Sequence, residues 1–307
     1  MKSCGFLIGG LLAFSAQAAA LENEVAAYGE VADRICARIR VWPGAAPGET
    51  GMDRGRYMFD VDGKVWRRHD VSSPELVVLC PPSAVKPHDT LVVVMPGGGY
   101  QVQYMDIVRD FRPVLDSGRW VAVLHYRIPA RAGRRFFDAP REDAQRAVRV
   151  LRARAGDWGV SREKIGVMGF SAGAHLAALC AVASQEKLYA RIDAVDDLPA
   201  HVNFAIPVYP AYVADDGATG ENLHGGDGAR LLGEFTFDAR TPPMFLIHGD
   251  RDAYSPIGSL LLYQELHRRK IPAQLFVYAN AGHGLGDAVN VRTWRCQVPL
   301  WLDSMGF

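Results

Sequence analysis

The stretch that decides the fold is Gly169-Phe170-Ser171-Ala172-Gly173, just past the middle of the chain. The apolar run 164–168 before it is typical of a buried strand, and the Ala/Leu-rich run 174–181 after it favours a helix. A serine flanked by glycines on such a turn is held in a strained backbone conformation, with no bulky side chain beside it. The segment therefore predicts a strand, a sharp turn that exposes Ser171, and a helix.

Seven apolar segments, one of which overlaps the run before Ser171, have the length and composition of strands buried on both faces of a parallel sheet. They are 76–80, 91–95, 120–126, 165–168, 204–209, 244–248 and 275–278. Helical patterns over 141–156 and 257–270 separate some of them. This alternation predicts a single α/β domain with a doubly wound, mostly parallel sheet. It is preceded by a predicted helix over 21–40 and an irregular Pro/Gly-rich arm over 41–55.

Length and charge exclude some classes of partner. The chain has 307 residues, 49% of them hydrophobic, which is enough for one domain with a well-buried core. Its 34 basic and 34 acidic residues cancel, so nothing favours nucleic acid or an anionic membrane surface as a partner. The Arg-rich stretch 127–141 leads into Glu142 and Asp143, a pattern that favours a solvated helix entry over a basic patch.

The first twenty residues predict a secretory signal peptide. Lys2 is followed by an apolar run over 6–14 and an A-x-A cleavage site within 16–20. The apolar run is too short to cross a bilayer comfortably, although an uncleaved anchor is the alternative. We therefore expect an exported protein, periplasmic or secreted, with its folded domain over 21–307 and no stable membrane association after cleavage.

Export would place the remaining cysteines in an oxidising compartment, where disulfides form. Three pairings are possible among four cysteines, and the sequence does not choose between them. No cysteine or histidine spacing is typical of a zinc site. The four are Cys36, Cys80, Cys180 and Cys296.

Acyl transfer by a serine requires a base, a group that orients the base, and donors for an oxyanion. Asp252 and Asp250 both follow the strand 244–248, and the H-G-x-x-D spacing favours Asp252 as the acid. His283 follows the strand 275–278 between two glycines, which makes it the candidate base.

A glycine block closes the strand 91–95 and offers unshielded backbone N–H groups. Gly98 and Gly99 are the candidate oxyanion donors, together with the N–H of Ala172 next to the serine. The polar, glycine-rich segment 215–233 predicts a lid or binding loop near the sheet's carboxyl edge. Five tyrosines at or just after strand ends predict an aromatic-lined groove at that edge. They are Tyr100, Tyr104, Tyr209, Tyr212 and Tyr254.

The chain resembles the esterases of the α/β-hydrolase superfamily, in particular secreted bacterial carbohydrate esterases of the acetylxylan and feruloyl esterase type. The resemblance extends from 41–48 to the region of Trp301. Five blocks carry it: P-G-G-G-Y at 96–100, Y-R-I-P at 126–129, G-F-S-A-G at 169–173, H-G-x-x-D at 248–252 and G-H-G at 282–284. Two departures are Pro96, where related enzymes often have histidine, and Ala174, where a glycine is common.

The resemblance implies Ser171 as nucleophile, Asp252 as acid and His283 as base, with no metal or organic cofactor. It also implies a short acyl (acetyl) or feruloyl ester as substrate, on a small molecule or a plant-wall polysaccharide. A general short-chain carboxylesterase, a peptidase of the same fold and a non-catalytic binding protein on the same scaffold are the alternatives.

Overall fold

The computed structural model describes residues 23, 25–215, 229–286 and 292–307. The predicted signal peptide, 1–20, lies outside the described residues, and so does 216–228 of the predicted lid segment. The two flanks of that segment, Ala214–Asp215 and Arg230–Leu231, pair as short antiparallel strands.

An eight-stranded sheet forms the centre of the molecule. In chain order its strands are β1 Ile35–Arg40, β2 Glu75–Leu79, β3 Leu91–Met95, β4 Trp120–His125, β5 Ile165–Phe170, β6 Ala205–Val208, β7 Met244–Gly249 and β8 Ala273–Tyr278. They lie side by side in the order β1-β2-β4-β3-β5-β6-β7-β8. All pairs from β4 to β8 are parallel, whereas β1 and β2 are antiparallel to their neighbours.

Helices cover both faces of the sheet. The α-helices are α1 Val108–Asp116, α2 Asp138–Arg154, α3 Ala172–Val182, α4 Ile257–Arg268 and α5 Trp294–Ser304. Short 3₁₀ helices span Gly29–Arg34, Ala155–Trp158 and Ala194–Asp197, and a small second sheet joins Arg56–Phe59, Val65–His69 and Gln103–Tyr104. No helix in the described part of the chain combines the length and apolar character that a bilayer crossing needs.

The side chains of each strand point alternately to the two faces of the sheet, and each face has its own hydrophobic core. In β3, Val93 and Met95 pack in the core beneath α2, α3 and α4, while Val92 and Val94 pack in the core beneath α1 and α5. Successive side chains of a strand point to opposite faces, so a strand with a helix layer on each side is apolar throughout. The predicted doubly wound, mostly parallel α/β sheet is confirmed.

The prediction of a helix over 21–40 is wrong in its second half. Ile35, Ala37 and Ile39 are partly buried and alternate with exposed residues, which is the period of a strand. This segment is β1, an edge strand that pairs antiparallel with β2. An edge strand needs only one covered face, so its arginines can stay in solvent without losing the backbone pairing.

The solvated helix entry predicted for 127–141 is confirmed for residues 132–136, which are exposed, but is wrong at its two ends, where Arg127 and Arg141 are only 1% and 3% exposed. The Arg127 guanidinium donates to Asp143 at 2.9 Å and to Glu142 at 2.7 Å. Trp42, in the irregular arm, also donates to Asp143, at 2.8 Å. The charges at the start of α2 therefore form a buried network that holds the arm against the domain.

Candidate active site

Ser171 lies on the turn between β5 and α3, with φ 53° and ψ −117°. This left-handed conformation is rare for a non-glycine residue and indicates local strain. A Cβ on Gly169 would lie 2.0 Å from the carbonyl oxygen of Gly173, and one on Gly173 would lie 2.1 Å from that of Met95. Both glycines are therefore required by the close approach of β3, β5 and α3, which explains the motif physically.

Three side chains from separate strand ends form a hydrogen-bonded chain. Ser171 Oγ is 2.7 Å from Nε2 of His283, and Nδ1 of His283 is 2.9 Å from both carboxylate oxygens of Asp252. Because a carboxylate only accepts, Nδ1 carries a proton, and in the neutral imidazole Nε2 is left to accept the serine proton. The structure thus brings together the three predicted residues in an arrangement suited to nucleophilic attack by a serine.

Asp252 is buried beside β7, and its surroundings favour the charged carboxylate. Burial alone raises its pKa, but hydrogen bonds from His248, His283 and the N–H of Tyr254 lower the pKa to about 2. The carboxylate is therefore ionised at neutral pH. The alternative acid, Asp250, is exposed, and its carboxylate makes no hydrogen bond or ion pair within the described residues.

The local hydrogen bonding expected of a histidine at a strand end is confirmed for His248, but Asp252 was not expected among its partners. Its Nε2 lies 2.8 Å from the carbonyl oxygen of Tyr254 and 3.3 Å from Asp252 Oδ2, and its Nδ1 lies 2.8 Å from Ser259 Oγ. Both groups facing Nε2 accept, so Nε2 carries the proton and the serine hydroxyl donates to Nδ1. The signal was present in H-G-x-x-D, whose first residue is His248.

The predicted oxyanion donors lie around the same serine. Gly98 and Gly99 have φ values of 131° and 61°, and their N–H groups donate no hydrogen bond within the described residues. Ala172 is the first residue of α3, where a backbone N–H has no partner inside the helix. All three N–H groups are therefore available to a bound oxygen.

A cavity of about 460 Å³ opens in front of Ser171 and His283. The His283 ring is flanked by the rings of Tyr209 and Tyr254, at centroid distances of 5.1 and 5.0 Å. Tyr104 lines the same cavity, so three of the five predicted tyrosines face the site. Charged residues on or before α1 also line the cavity, namely Asp106, Arg109 and Asp110.

The other two tyrosines belong to an aromatic cluster in which Tyr100 is buried and Tyr212 is half-buried, with the Tyr212 ring also packing on that of Tyr254. Tyr100 is fully buried, and its hydroxyl is 2.8 Å from Nδ1 of His175 on α3. Tyr212 packs against both rings. Burial lowers the pKa of His175 to about 3, so this histidine is neutral and packs in the core. Within the described ranges, no three His, Cys, Asp or Glu side chains group as metal ligands.

Comparison with solved structures identifies the architecture. The chain aligns with an acetyl ester-xyloside bifunctional hydrolase from Caldicellulosiruptor lactoaceticus at a TM-score of 0.64 and 24% identity, covering 88% of this chain and 97% of that one. Esterase 2 of Thermogutta terrifontis aligns at a TM-score of 0.60 and 22% identity, over 85% and 97% of the two chains. The chain has the α/β-hydrolase fold.

Sequence comparison finds relatives with esterase and xylanase names. The family model described as BD-FAE matches residues 76–212. An acetylxylan esterase of Xylanibacter ruminicola is 24% identical over 65% of this chain and 42% of its own length. The endo-1,4-beta-xylanase B of Butyrivibrio fibrisolvens is 27% identical over 63% and 32%. The chain thus spans less than half of either relative, and its resemblance to carbohydrate esterases is confirmed.

Proposed function

We propose that the protein is a serine esterase that works through an acyl-enzyme. The observation that carries this proposal is the hydrogen-bonded chain from Ser171 through His283 to Asp252 at the floor of a cavity. A serine is a weak nucleophile until a positioned base takes its proton, and the base needs a third group to hold its tautomer. A binding protein has no need of these three groups in register.

In the proposed reaction, Ser171 Oγ attacks the ester carbonyl carbon while Nε2 of His283 takes the hydroxyl proton. The carbonyl oxygen becomes an oxyanion, which accepts hydrogen bonds from the N–H groups of Gly98, Gly99 and Ala172. Asp252 stays ionised and stabilises the imidazolium. Collapse of the intermediate breaks the ester C–O bond, and His283 protonates the departing alkoxide. Water, deprotonated by His283, then releases the acid and regenerates the serine.

The substrate proposed is a short acyl ester, acetyl or feruloyl, on a plant-wall polysaccharide. The acetylxylan esterase and xylanase names of the relatives support the carbohydrate part. Glycines at 97–99 form one wall of the cavity and offer little side-chain surface to an alkyl tail. Charged residues that line the same cavity, such as Asp106 and Arg109, favour a hydrophilic alcohol over a lipid.

Two measurements test the proposal. A fluorophosphonate probe should label the protein covalently, and Ser171→Ala should abolish the labelling; an unlabelled native protein would favour a non-catalytic binding protein. Initial rates on p-nitrophenyl acetate, butyrate and octanoate, beside acetylated xylan and methyl ferulate, then test the substrate class. We expect kcat/KM to be higher for acetate than for octanoate.

The opposite trend would reject the carbohydrate-esterase proposal, because each methylene in a fitted apolar pocket contributes about 0.8 kcal/mol, or about fourfold in kcat/KM. Activity on p-nitrophenyl acetate without activity on acetylated xylan or ferulate would favour a general short-chain carboxylesterase.

We also propose that the protein is exported, on the strength of the signal-like residues 1–20. N-terminal sequencing of protein recovered from the periplasm or medium should begin shortly after residue 18 or 20. An intact Met1 in a cytoplasmic fraction would contradict export.

A further inference from the structure

Two cysteines lie next to each other at the antiparallel edge of the sheet, which is the edge opposite β8. Cys36 sits in a β-bulge of β1, between Ile35, which pairs with Leu79, and Ala37, which pairs with Val78. Cys80 directly follows β2, and its backbone N–H donates to the carbonyl of Arg34 at 2.9 Å. The two cysteines therefore flank one pair of the β1–β2 ladder.

Each thiol reaches over the strand that carries the other. Cys36 Sγ donates to the carbonyl of Val78 in β2 at 3.4 Å, and Cys80 Sγ donates to the carbonyl of Arg34, just before β1, at 3.3 Å. The two thiols also interact with each other. Partial burial, and then the charge of the Cys80 thiol and a hydrogen bond with it, raise the pKa of the Cys36 thiol to about 12. Cys80 lies opposite Arg34, so the two cysteines are diagonal neighbours, which are about 7–8 Å apart in a regular ladder. The bulge leaves Cys36 unpaired between the partners of Leu79 and Val78, which shortens this diagonal towards the Cα separation of about 4.4–6.8 Å found in disulfides.

We propose that Cys36 and Cys80 form a disulfide that fastens the edge strand β1 to β2. The oxidant is a small-molecule or protein disulfide. One cysteine thiolate attacks a sulfur of that disulfide and releases one thiol; the second cysteine then attacks the mixed disulfide and releases the other. The cysteine pair loses two electrons and two protons, and the oxidant is reduced to two thiols.

Among the described residues, the other two cysteines have no comparable partner. Cys180 lies in α3 and Cys296 in α5, which cover opposite faces of the sheet, so the sheet separates them. Both stay as thiols in the proposed form. The disulfide does not depend on the proposed enzymatic function, because it lies at the opposite edge from the loops after β7 and β8 that carry Asp252 and His283.

Mass spectrometry of the full chain tests the disulfide. Protein purified under reducing conditions is incubated with a mixture of oxidised and reduced glutathione, alkylated, and digested without reduction. The expected product is a linked peptide pair containing Cys36 and Cys80, two hydrogens lighter than the separate peptides, with Cys180 and Cys296 alkylated. Glutathione adducts on Cys36 or Cys80 without the linked pair, or a free thiol at each of the two positions, would overturn the proposal.

Stability provides the second readout. Closing the chain between residues 36 and 80 restricts the unfolded state, so reduction of the native protein should lower its Tm by at least ~4 °C. The double variant Cys36→Ser/Cys80→Ser should show no change in Tm on reduction, whereas the matched control Cys296→Ser should respond like the native chain. A native Tm insensitive to reductant, in protein shown to be oxidised beforehand, would contradict the fastening role.

Discussion

Replacing Asp252 by asparagine keeps the shape of the side chain but removes its charge and one of its two acceptor oxygens. In the native site every group that faces this carboxylate is a donor. The N–H of Tyr254 donates to Oδ1 at 2.8 Å, Nε2 of His248 lies 3.3 Å from Oδ2, and Nδ1 of His283 lies 2.9 Å from both oxygens. The amide NH₂ would therefore face at least one N–H group, and His283 is the ring that can respond by changing its tautomer.

The loss of the charge and the loss of the tautomer both contribute to the size of the effect, and the tautomer change is the larger of the two. The fall in the pKa of Asp252 from 3.8 to about 2 corresponds to about 2 kcal/mol of preference for the charged form. If the amide donates to His283, the imidazole proton moves to Nε2, and the ring no longer accepts the proton of Ser171. Loss of the correct tautomer in a serine triad lowers kcat by about 10⁴. We expect a loss of this order for Asp252→Asn.

The assay is kcat/KM on p-nitrophenyl acetate at pH 7.5, with Asp250→Asn as the matched control. Asp250 is exposed and lies two residues away in the same turn, so its variant should stay within about twofold of the parent. Activity of Asp252→Asn within about tenfold of the parent would refute the reasoning. The reverse ranking would move the acid to Asp250.

The same substitution changes how stability depends on pH. The pKa of Asp252 is lower in the folded protein than in the unfolded chain, so its ionisation stabilises the fold fully above about pH 4, and this contribution is lost as the pH falls towards 2. The difference in unfolding free energy between native protein and Asp252→Asn should therefore shrink below pH 4 in urea titrations. A constant difference from pH 7 to pH 2 would contradict the lowered pKa.

Three further predictions test the surrounding residues. His248→Leu should lower kcat/KM about tenfold by removing a donor to Asp252, whereas the loss in His248→Gln should be smaller. Equal losses in the two variants would indicate a purely structural role. Gly98→Ala should lower kcat/KM about 10²-fold, because its Cβ would meet a backbone carbonyl at 2.2 Å and shift the N–H groups, while Gly133→Ala, with open space around it, should leave activity unchanged. Arg127→Leu should destabilise the fold by about 3–5 kcal/mol in urea unfolding at pH 7, because it leaves Asp143 buried without its main partner; a loss under 1 kcal/mol would contradict the network.

Local sequence patterns were sufficient for the central strands and for the three residues of the hydrogen-bonded chain. Strands buried on both faces appear as continuous apolar runs, whatever their neighbours are. The turn at Ser171 requires glycines at 169 and 173, because a Cβ added at these positions would lie only 2.0 and 2.1 Å, respectively, from a backbone carbonyl oxygen. Asp252 and His283 each follow a strand, and parallel strands end at one edge, so their proximity follows from the fold class.

The predictions for β1 and Arg127 were wrong because the surroundings of these residues are formed by segments that are distant in sequence. β1 was mistaken for a helix because its arginines and small residues carry no strong local preference, and only pairing with β2 makes it a strand. Arg127 was expected in solvent, yet it is buried because Asp143, Glu142 and the arm of Trp42 close around it.

The sequence by itself thus determined the α/β architecture, the turn that carries Ser171 and the positions of Asp252 and His283 after two strands, because each depends on short-range periodicity or on turn geometry. Only the tertiary structure decided that His248 contacts the carboxylate of Asp252. It likewise decided that Cys36 lies beside Cys80. These facts depend on the register and spatial order of strands that are distant in sequence, and local propensities do not encode those distances.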